Sequence, residues 1–146
     1  MDADFASVWE LHRLAIEPIG VFLKNGSWDD DLRDITNHYL KNRGEFLVGL
    51  LNNRIVCMGA FRKKSETLAE IKRMRVLPDY QRRGFGQTIM NQLELKALQS
   101  GYSELILDTR TKQIAAQQFY KKNGFVESGR GKFEGFELIF YRKKLK

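Results

Sequence analysis

Residues 76–87 read Val-Leu-Pro-Asp-Tyr-Gln-Arg-Arg-Gly-Phe-Gly-Gln, and the segments on either side of them decide the fold. Upstream, Thr67–Leu77 (TLAEIKRMRVL) is an apolar-interleaved run of strand length that Pro78 stops. Downstream, residues 81–101 (QRRGFGQTIMNQLELKALQSG) carry a helical pattern that ends at Gly101. A loop with glycines at 84 and 86, set between a strand and a helix, lets successive backbone N–H groups converge on an anion where the helix dipole also favours negative charge. Arg82 and Arg83 add charge-assisted donors at the same place, and together they suit a pyrophosphate.

Working outward, Glu45–Leu51 (EFLVGLL) and Arg54–Arg62 (RIVCMGAFR) are strand-length runs joined by Asn52 and Asn53, residues that tolerate the left-handed backbone of a tight hairpin. They are expected to pair antiparallel. Ser103–Thr109 (SELILDT) reads as another strand, and Ile114–Asn123 as a helix ending at Gly124. Phe125–Ser128 and Phe136–Lys143 read as closing strands, with Gly129, Gly131 and Gly135 around the turn. Before all of these, Phe5, Val8, Trp9, His12, Ala15, Ile16 and Ile19 recur at spacings of three and four, the stripe of a first helix. A second begins at a capping-box-like Ser27 and Asp30 and buries Leu32, Ile35, Tyr39 and Leu40.

The order is helix, helix, three strands, helix, strand, helix, two strands. Hairpins flanking one strand–helix–strand unit imply an α/β (α+β) fold. The expected architecture is a mixed, mostly antiparallel, twisted sheet of about six to seven strands flanked by about four helices.

The chain has 146 residues, 42% hydrophobic and 29% charged, the size and make-up of one domain spanning 1–146. The first residues carry acids rather than the bases of a secretory signal, and no apolar run approaches the roughly 20 residues of a bilayer span. Cys57 is the one cysteine and His12 and His38 the two histidines, which argues against a disulfide framework and a metal centre. A cytoplasmic setting with no membrane partner is the expectation.

The net charge of +7 is unevenly placed. Arg62–Arg83 holds eight bases against three acids, Arg142–Lys146 holds four bases and no acid, and residues 1–40 hold eight acids against three bases. Nucleic acid is one partner for such an excess, yet no recognition motif accompanies it. The loop itself excludes two phosphate-binding alternatives. Gln87 stands where a Walker loop needs lysine, and Ile89 where the dinucleotide fingerprint needs its third glycine.

Gln81-Arg-Arg-Gly-Phe-Gly86 resembles the Q/R-x-x-G-x-G/A acetyl-CoA loop of the GCN5-related N-acetyltransferases (GNAT). The resemblance extends upstream to Glu70-Ile71 and Met74-Arg75-Val76, which look like the family's central strand. Downstream, Gln113, Ala116, Phe119-Tyr120 and Asn123-Gly124-Phe125 are similar to its N-x-x-A-x-x-F/L-Y-x-x-x-G-F segment. Roughly residues 45–128 are covered.

The resemblance implies transfer of acetyl from acetyl-CoA directly to a primary amine, without a metal. It implies that the loop amides of Arg82, Arg83, Gly84, Phe85, Gly86 and Gln87 hold the pyrophosphate, with Gln81 also in the cofactor site. It further implies that the backbone of Met74, Arg75 and Val76 pairs with pantetheine or polarises the thioester carbonyl. Gln113, where the family usually has Asn, and Phe119 would complete the cofactor site. Tyr120 matches the general acid that protonates the departing thiolate. For the base, Glu70 ranks first and Asp108 second. Polyamine-like, amino-sugar, drug and peptide N-terminal amines all remain open as acceptors, and dimers are common in the family, leaving a homodimer open. A catalytically silent acyl-CoA sensor would use the same loop without the Tyr120 and carboxylate pair.

Among the remaining residues, Cys57 reads as a buried structural thiol rather than an acyl-accepting nucleophile, and His12 as a core residue. Trp9 and Trp28 belong to the core or to an acceptor pocket. Asp29–Asp31 are first-turn acids or an acidic rim that attracts a cationic amine.

Overall fold

The computed structural model describes residues 42–52 and 54–145. The two helices expected before Gly44, with Trp9, His12, Trp28, Asp29–Asp31 and His38, lie outside the described residues. Six strands form one sheet: β1 (Glu45–Leu51), β2 (Arg54–Lys63), β3 (Leu68–Val76), β4 (Glu104–Arg110), β5 (Val126–Phe133) and β6 (Phe136–Lys144), in the order β1-β2-β3-β4-β6-β5. Among the described residues there are two α-helices, α1 (Phe85–Gln99) and α2 (Ile114–Lys122). Among the described strands only β3 and β4 pair in parallel, joined through α1. The expected mixed, mostly antiparallel sheet is the one observed.

The β1–β2 hairpin forms as its sequence requires, with Leu51 opposite Arg54 and Asn52 at φ +52°. Gly49 opposes Cys57, whose Sγ fills the place a Cβ would take, so the strands close there only with glycine. Cys57 is buried and burial pushes its thiol pKa up, the state of a core side chain rather than a nucleophile. Along β2 every residue from Ile55 to Phe61 is buried, the continuous apolar run of a strand covered on both faces. α1 buries Ile89, Met90, Leu93 and Ala97 on one stripe, which packs against β1, β2 and β3.

One local expectation is corrected. β5 does not end at Ser128 but runs through Gly129 and Gly131 to Phe133, and of the three glycines only Gly135 lies in the turn. The turn is the two-residue pair Glu134–Gly135, both at positive φ (50° and 83°), which matches the twist of the flanking strands. Gly129 and Gly131 are strand residues because the Phe140 ring lies over them: a Cβ on Gly131 would stand 3.2 Å from Phe140 Cε2. Glycine here makes room for a cross-strand aromatic rather than a bend.

The feature that positions the site is the uneven pairing of β3. It pairs with β2 from Ala69 to Val76 but with β4 only at Leu68↔Glu104, Ala69↔Leu105 and Glu70↔Ile106. Beyond Glu70 the two parallel strands part. On the β2 side the register shifts between Met58 and Ala60, so that Arg73 and Met74 both oppose Gly59 in a β-bulge. Arg73 sits at φ +60° there, an uncommon conformation for a non-glycine residue. A Cβ on Gly59 would stand 2.5 Å from Ile89 Cγ2 and 2.6 Å from Met74 Sδ, so glycine at this position lets the bulge and α1 close on each other.

Candidate active site

The loop between β3 and α1 is tied down where it leaves β3. Leu77 N–H donates to Val56 O (2.9 Å), Pro78–Tyr80 form a single 3₁₀ turn, and Gln81 Nε2 donates back to Val76 O (3.1 Å). Gln81 therefore braces the end of β3. Arg82 at φ +63° and Gly84 at φ +88° turn the chain into α1. Gly84 is the helix cap, and no side chain caps the first turn. Thr88 N–H is the first to donate within the helix, to Gly84 O (3.0 Å), which leaves the amides of Phe85, Gly86 and Gln87 directed outward at the positive end of the dipole. A Cβ on Gly86 would meet only Val76 and Phe119 at 3.7–3.9 Å, ordinary contact, so position 86 accommodates alanine whereas the positive φ at 84 selects glycine. Arg83 lies over the Tyr80 ring (5.4 Å), and Tyr80 meets Phe85 edge to face. The loop amides and the two arginines are a set of donors that fits a pyrophosphate.

α2 is joined to this end of α1 by a reciprocal amide pair. Gln87 Nε2 donates to Asn123 Oδ1 (2.6 Å) and Asn123 Nδ2 to Gln87 Oε1 (3.2 Å). The side chain of Gln87 is thereby used between helices, while its backbone N–H remains with the loop. Gln113 caps α2 and its Oε1 accepts from Arg110 N–H (3.0 Å), which turns the side chain toward the end of β4. Phe119 and Tyr120 face the sheet: Tyr120 meets Phe119 at 5.5 Å and Phe125 at 5.7 Å, both edge to face. Tyr120 is buried, and desolvation pushes its pKa up to about 12, with Arg75 opposing the shift and Asp108 adding to it. Its phenol is thus protonated throughout the neutral range and lies within electrostatic reach of both β3 and β4.

On the strands, direct pairing places Arg62, Glu70 and Ile106 on one face of the sheet, and alternation puts Lys72 and Asp108 on the same face. Glu70 is buried and its Oε1 accepts from Arg62 Nε at 3.0 Å. Lys72 and Asp108, two residues beyond the last β3–β4 pair on each strand, are level with each other where the strands part. The pKa of Asp108 is raised, first by desolvation, with Glu70 adding to the effect and Lys72, Arg110 and Arg62 opposing it. Solvent reaches this side chain, but the surrounding protein is dense enough to penalise its charge. Burial lowers the pKa of Lys72, with Glu70 and Asp108 working against the shift and Arg62 and Arg73 with it. Arg75 Nη1 donates to Met74 O (2.7 Å), and Met74, the second bulge residue, and Arg75 lie on the opened stretch of β3.

Beyond Glu70 the structure thus leaves the edge of β3 at Met74, Arg75 and Val76 without a β4 partner, Phe119 beside Gly86 of the loop, and Tyr120 within electrostatic reach of Arg75 and Asp108. Lys72 and Gly59 were not singled out from the sequence. Alternation along β3 from Glu70 is enough to find Lys72, but nothing in the sequence announces the bulge that makes Gly59 necessary.

The comparisons agree with this architecture. The model described as the acetyltransferase (GNAT) family matches residues 6–125, and the chain belongs to that family. Human N-acetyltransferase 8 is 34% identical over 110 residues, covering 70% of this chain and 48% of that protein. N-acetylaspartate synthetase of Xenopus tropicalis is 31% identical over 101 residues, covering 68% and 37%. The chain thus spans about half the length, or less, of these curated relatives. Among solved structures, an acetyltransferase of the GNAT family from Staphylococcus aureus matches with a TM-score of 0.89 at 22% identity, over 100% of this chain and 96% of that one. The PaiA N-acetyltransferase from Thermoplasma acidophilum, in complex with coenzyme A, matches with a TM-score of 0.80 at 18% identity, over 97% and 93%. These two likenesses are likenesses of fold.

Proposed function

We propose that this chain transfers the acetyl group of acetyl-CoA to a primary amine in the cleft between β3 and β4. The observation that carries the reading is the coincidence of an opened strand edge with an uncapped, arginine-flanked helix N-terminus and a buried tyrosine. The amides of Phe85, Gly86 and Gln87, with Arg82 and Arg83, hold the pyrophosphate, and the opened edge of β3 at Met74–Val76 offers backbone groups to the pantetheine arm. Acetyl-CoA supplies an activated acyl group on a thiol leaving group.

Asp108 serves as the base. Its raised pKa brings it closer to neutrality than an ordinary carboxylate, and it lies within electrostatic reach of Tyr120. Glu70, the first-ranked base in the sequence, is committed to Arg62. Asp108 takes a proton from the acceptor ammonium, the freed amine attacks the thioester carbonyl to form the C–N bond and a tetrahedral oxyanion, and collapse of that oxyanion breaks the C–S bond. Tyr120 donates its phenolic proton to the departing sulfur, and the second proton, shed by the newly acylated nitrogen, returns through solvent to restore the phenol. A phenol at about 12 is a weak donor in water, but the thiolate leaves into the same desolvated pocket, where its own proton affinity is raised too. Backbone N–H groups near the bulge stabilise the oxyanion.

Incubation with acetyl-CoA and a panel of amines tests the reading: thiol release should be matched mole for mole by N-acetylated product. Tyr120→Phe should lower kcat with acetyl-CoA affinity nearly intact. Binding of acetyl-CoA with no amine-dependent thiol release would favour the acyl-CoA sensor instead.

A further inference from the structure

Lys72 and Asp108 stand opposite each other across the opening of the sheet, and the strand register fixes this. Glu70 pairs with Ile106, so each residue is two positions further along parallel neighbours and points to the same face. Around them the other side chains have partners. Arg62 is bound to Glu70, Arg75 Nη1 to Met74 O, and Arg110 stacks on Phe136 at 4.0 Å. Among the described residues, Lys72 and Asp108 make no direct hydrogen bond and no ion pair; they sense each other and Glu70 only through space. A half-buried ammonium and a crowded carboxylate, of opposite sign and level with each other, would ordinarily close into a salt bridge. Here the splay holds them apart. A partly desolvated charge without a direct partner is costly, and a guest that supplies the counter-charge recovers that cost.

We propose that the gap between Lys72 and Asp108 is a subsite for a zwitterionic acceptor, an amine that also carries a carboxylate, as an amino acid does. This assignment rests on the acetyl-transfer reading of the same cleft and narrows its acceptor. Asp108 receives the ammonium that it will deprotonate, between Lys72 on one side and Tyr120 on the other. Lys72 receives the carboxylate and so turns the amine toward the thioester. Polyamines and other purely cationic amines fit poorly, because they bring positive charge beside Lys72, Arg62 and Arg73. Recognition by a single desolvated lysine sets orientation more than it sets side-chain identity.

The test uses matched pairs, free amino acids against the amines that lack only the carboxylate, with N-acetyl amino acids as product probes. The wild type should favour the acid over the matched amine in kcat/KM by at least tenfold. Lys72→Met should collapse that ratio toward unity through KM, and Lys72→Arg should restore most of it. A general loss of fold or chemistry would lower both substrates together and leave the ratio standing. Equal or better use of the decarboxylated amines by the wild type overturns the proposal, as does a ratio unchanged in Lys72→Met. If no amine of either kind turns over, the acetyl-transfer reading fails separately, and binding still decides the subsite. With CoA saturating, N-acetyl amino acids should raise the thermal midpoint of the wild type but not of Lys72→Met. No shift in the wild type, or the same shift in both, would overturn it.

Discussion

The two flanks of β3 differ. Toward β2 the strand is paired from Ala69 to Val76, its bulge packed on Gly59 and α1; toward β4 it is paired at three positions and then opens. On the paired side β2 is apolar and buried from Ile55 to Phe61, and the glycines there, Gly49 on β1 and Gly59 on β2, are demanded by atoms that stand where a Cβ would be. The open flank carries Lys72 and Asp108, whose pKa values are displaced by burial, and backbone that is not committed to a β4 ladder. Buried packing is concentrated on one side of a single strand and the proposed chemistry on the other, with the bulge at Arg73–Met74 between them.

The largest effects are expected on the open flank. Asp108→Asn should lower kcat/KM by about 10²–10⁴, the usual range for loss of a general base, and Tyr120→Phe should lower kcat within the same range. Steady-state kinetics with acetyl-CoA and the best amine check both. Rates within twofold of wild type would remove these residues from the mechanism.

Next comes the paired flank. Gly59→Val forces a side chain against Ile89 and Met74. Overpacking of this kind costs about 1–3 kcal/mol, a fall of about 3–10 °C in Tm for a chain of this size. It should also weaken acetyl-CoA binding by displacing Met74. An unaltered Tm would show that the bulge tolerates a side chain.

The loop separates its two glycines by a smaller effect. Gly84→Ala places a Cβ at φ +88° and should cost roughly 1 kcal/mol, read as weaker acetyl-CoA binding in calorimetry; Gly86→Ala should stay within about 0.5 kcal/mol of wild type. Equal effects at the two positions would contradict the geometry.

The smallest effect concerns pH. Asp108 faces Glu70, Lys72, Arg110 and Arg62, and its folded pKa lies above its unfolded one. It therefore holds its proton more tightly when folded. Its contribution to stability is greatest in acid and falls as pH rises from the ordinary Asp range through the raised value. Asp108→Asn should gain slightly in Tm at neutral pH and lose that advantage in acid. Activity runs the other way, rising with pH as the carboxylate ionises. A Tm difference independent of pH would show that Asp108 titrates normally.

Much of this was legible in the sequence because it rests on local signals. The Asn52 hairpin, the stripe of α1 and the Gln81–Gly86 loop each follow from period or turn chemistry, and the strand–helix–strand unit at the centre follows from their order. The Gly129 and Gly131 reading failed because a strand glycine beneath a cross-strand Phe140 looks, in sequence, like a turn glycine. The bulge was not legible, since Arg73 is an ordinary strand residue in sequence and its positive φ belongs to the bulge opposite Gly59. Tyr120 and the two carboxylates came from the family resemblance, and the partnership of Glu70 with Arg62 became visible only once the β2–β3 register was known. That Lys72 has no hydrogen-bond or ion-pair partner among the described residues follows from where the β3–β4 ladder ends, which no residue marks.

Backbone amide hydrogen exchange with and without CoA tests the central claim most directly, because it reads the opened edge of β3 itself. CoA should slow exchange in two stretches, residues 71–76 along that edge and residues 84–87 at the start of α1, while leaving β5 and β6 unchanged. CoA binding with no protection in either stretch would contradict the account.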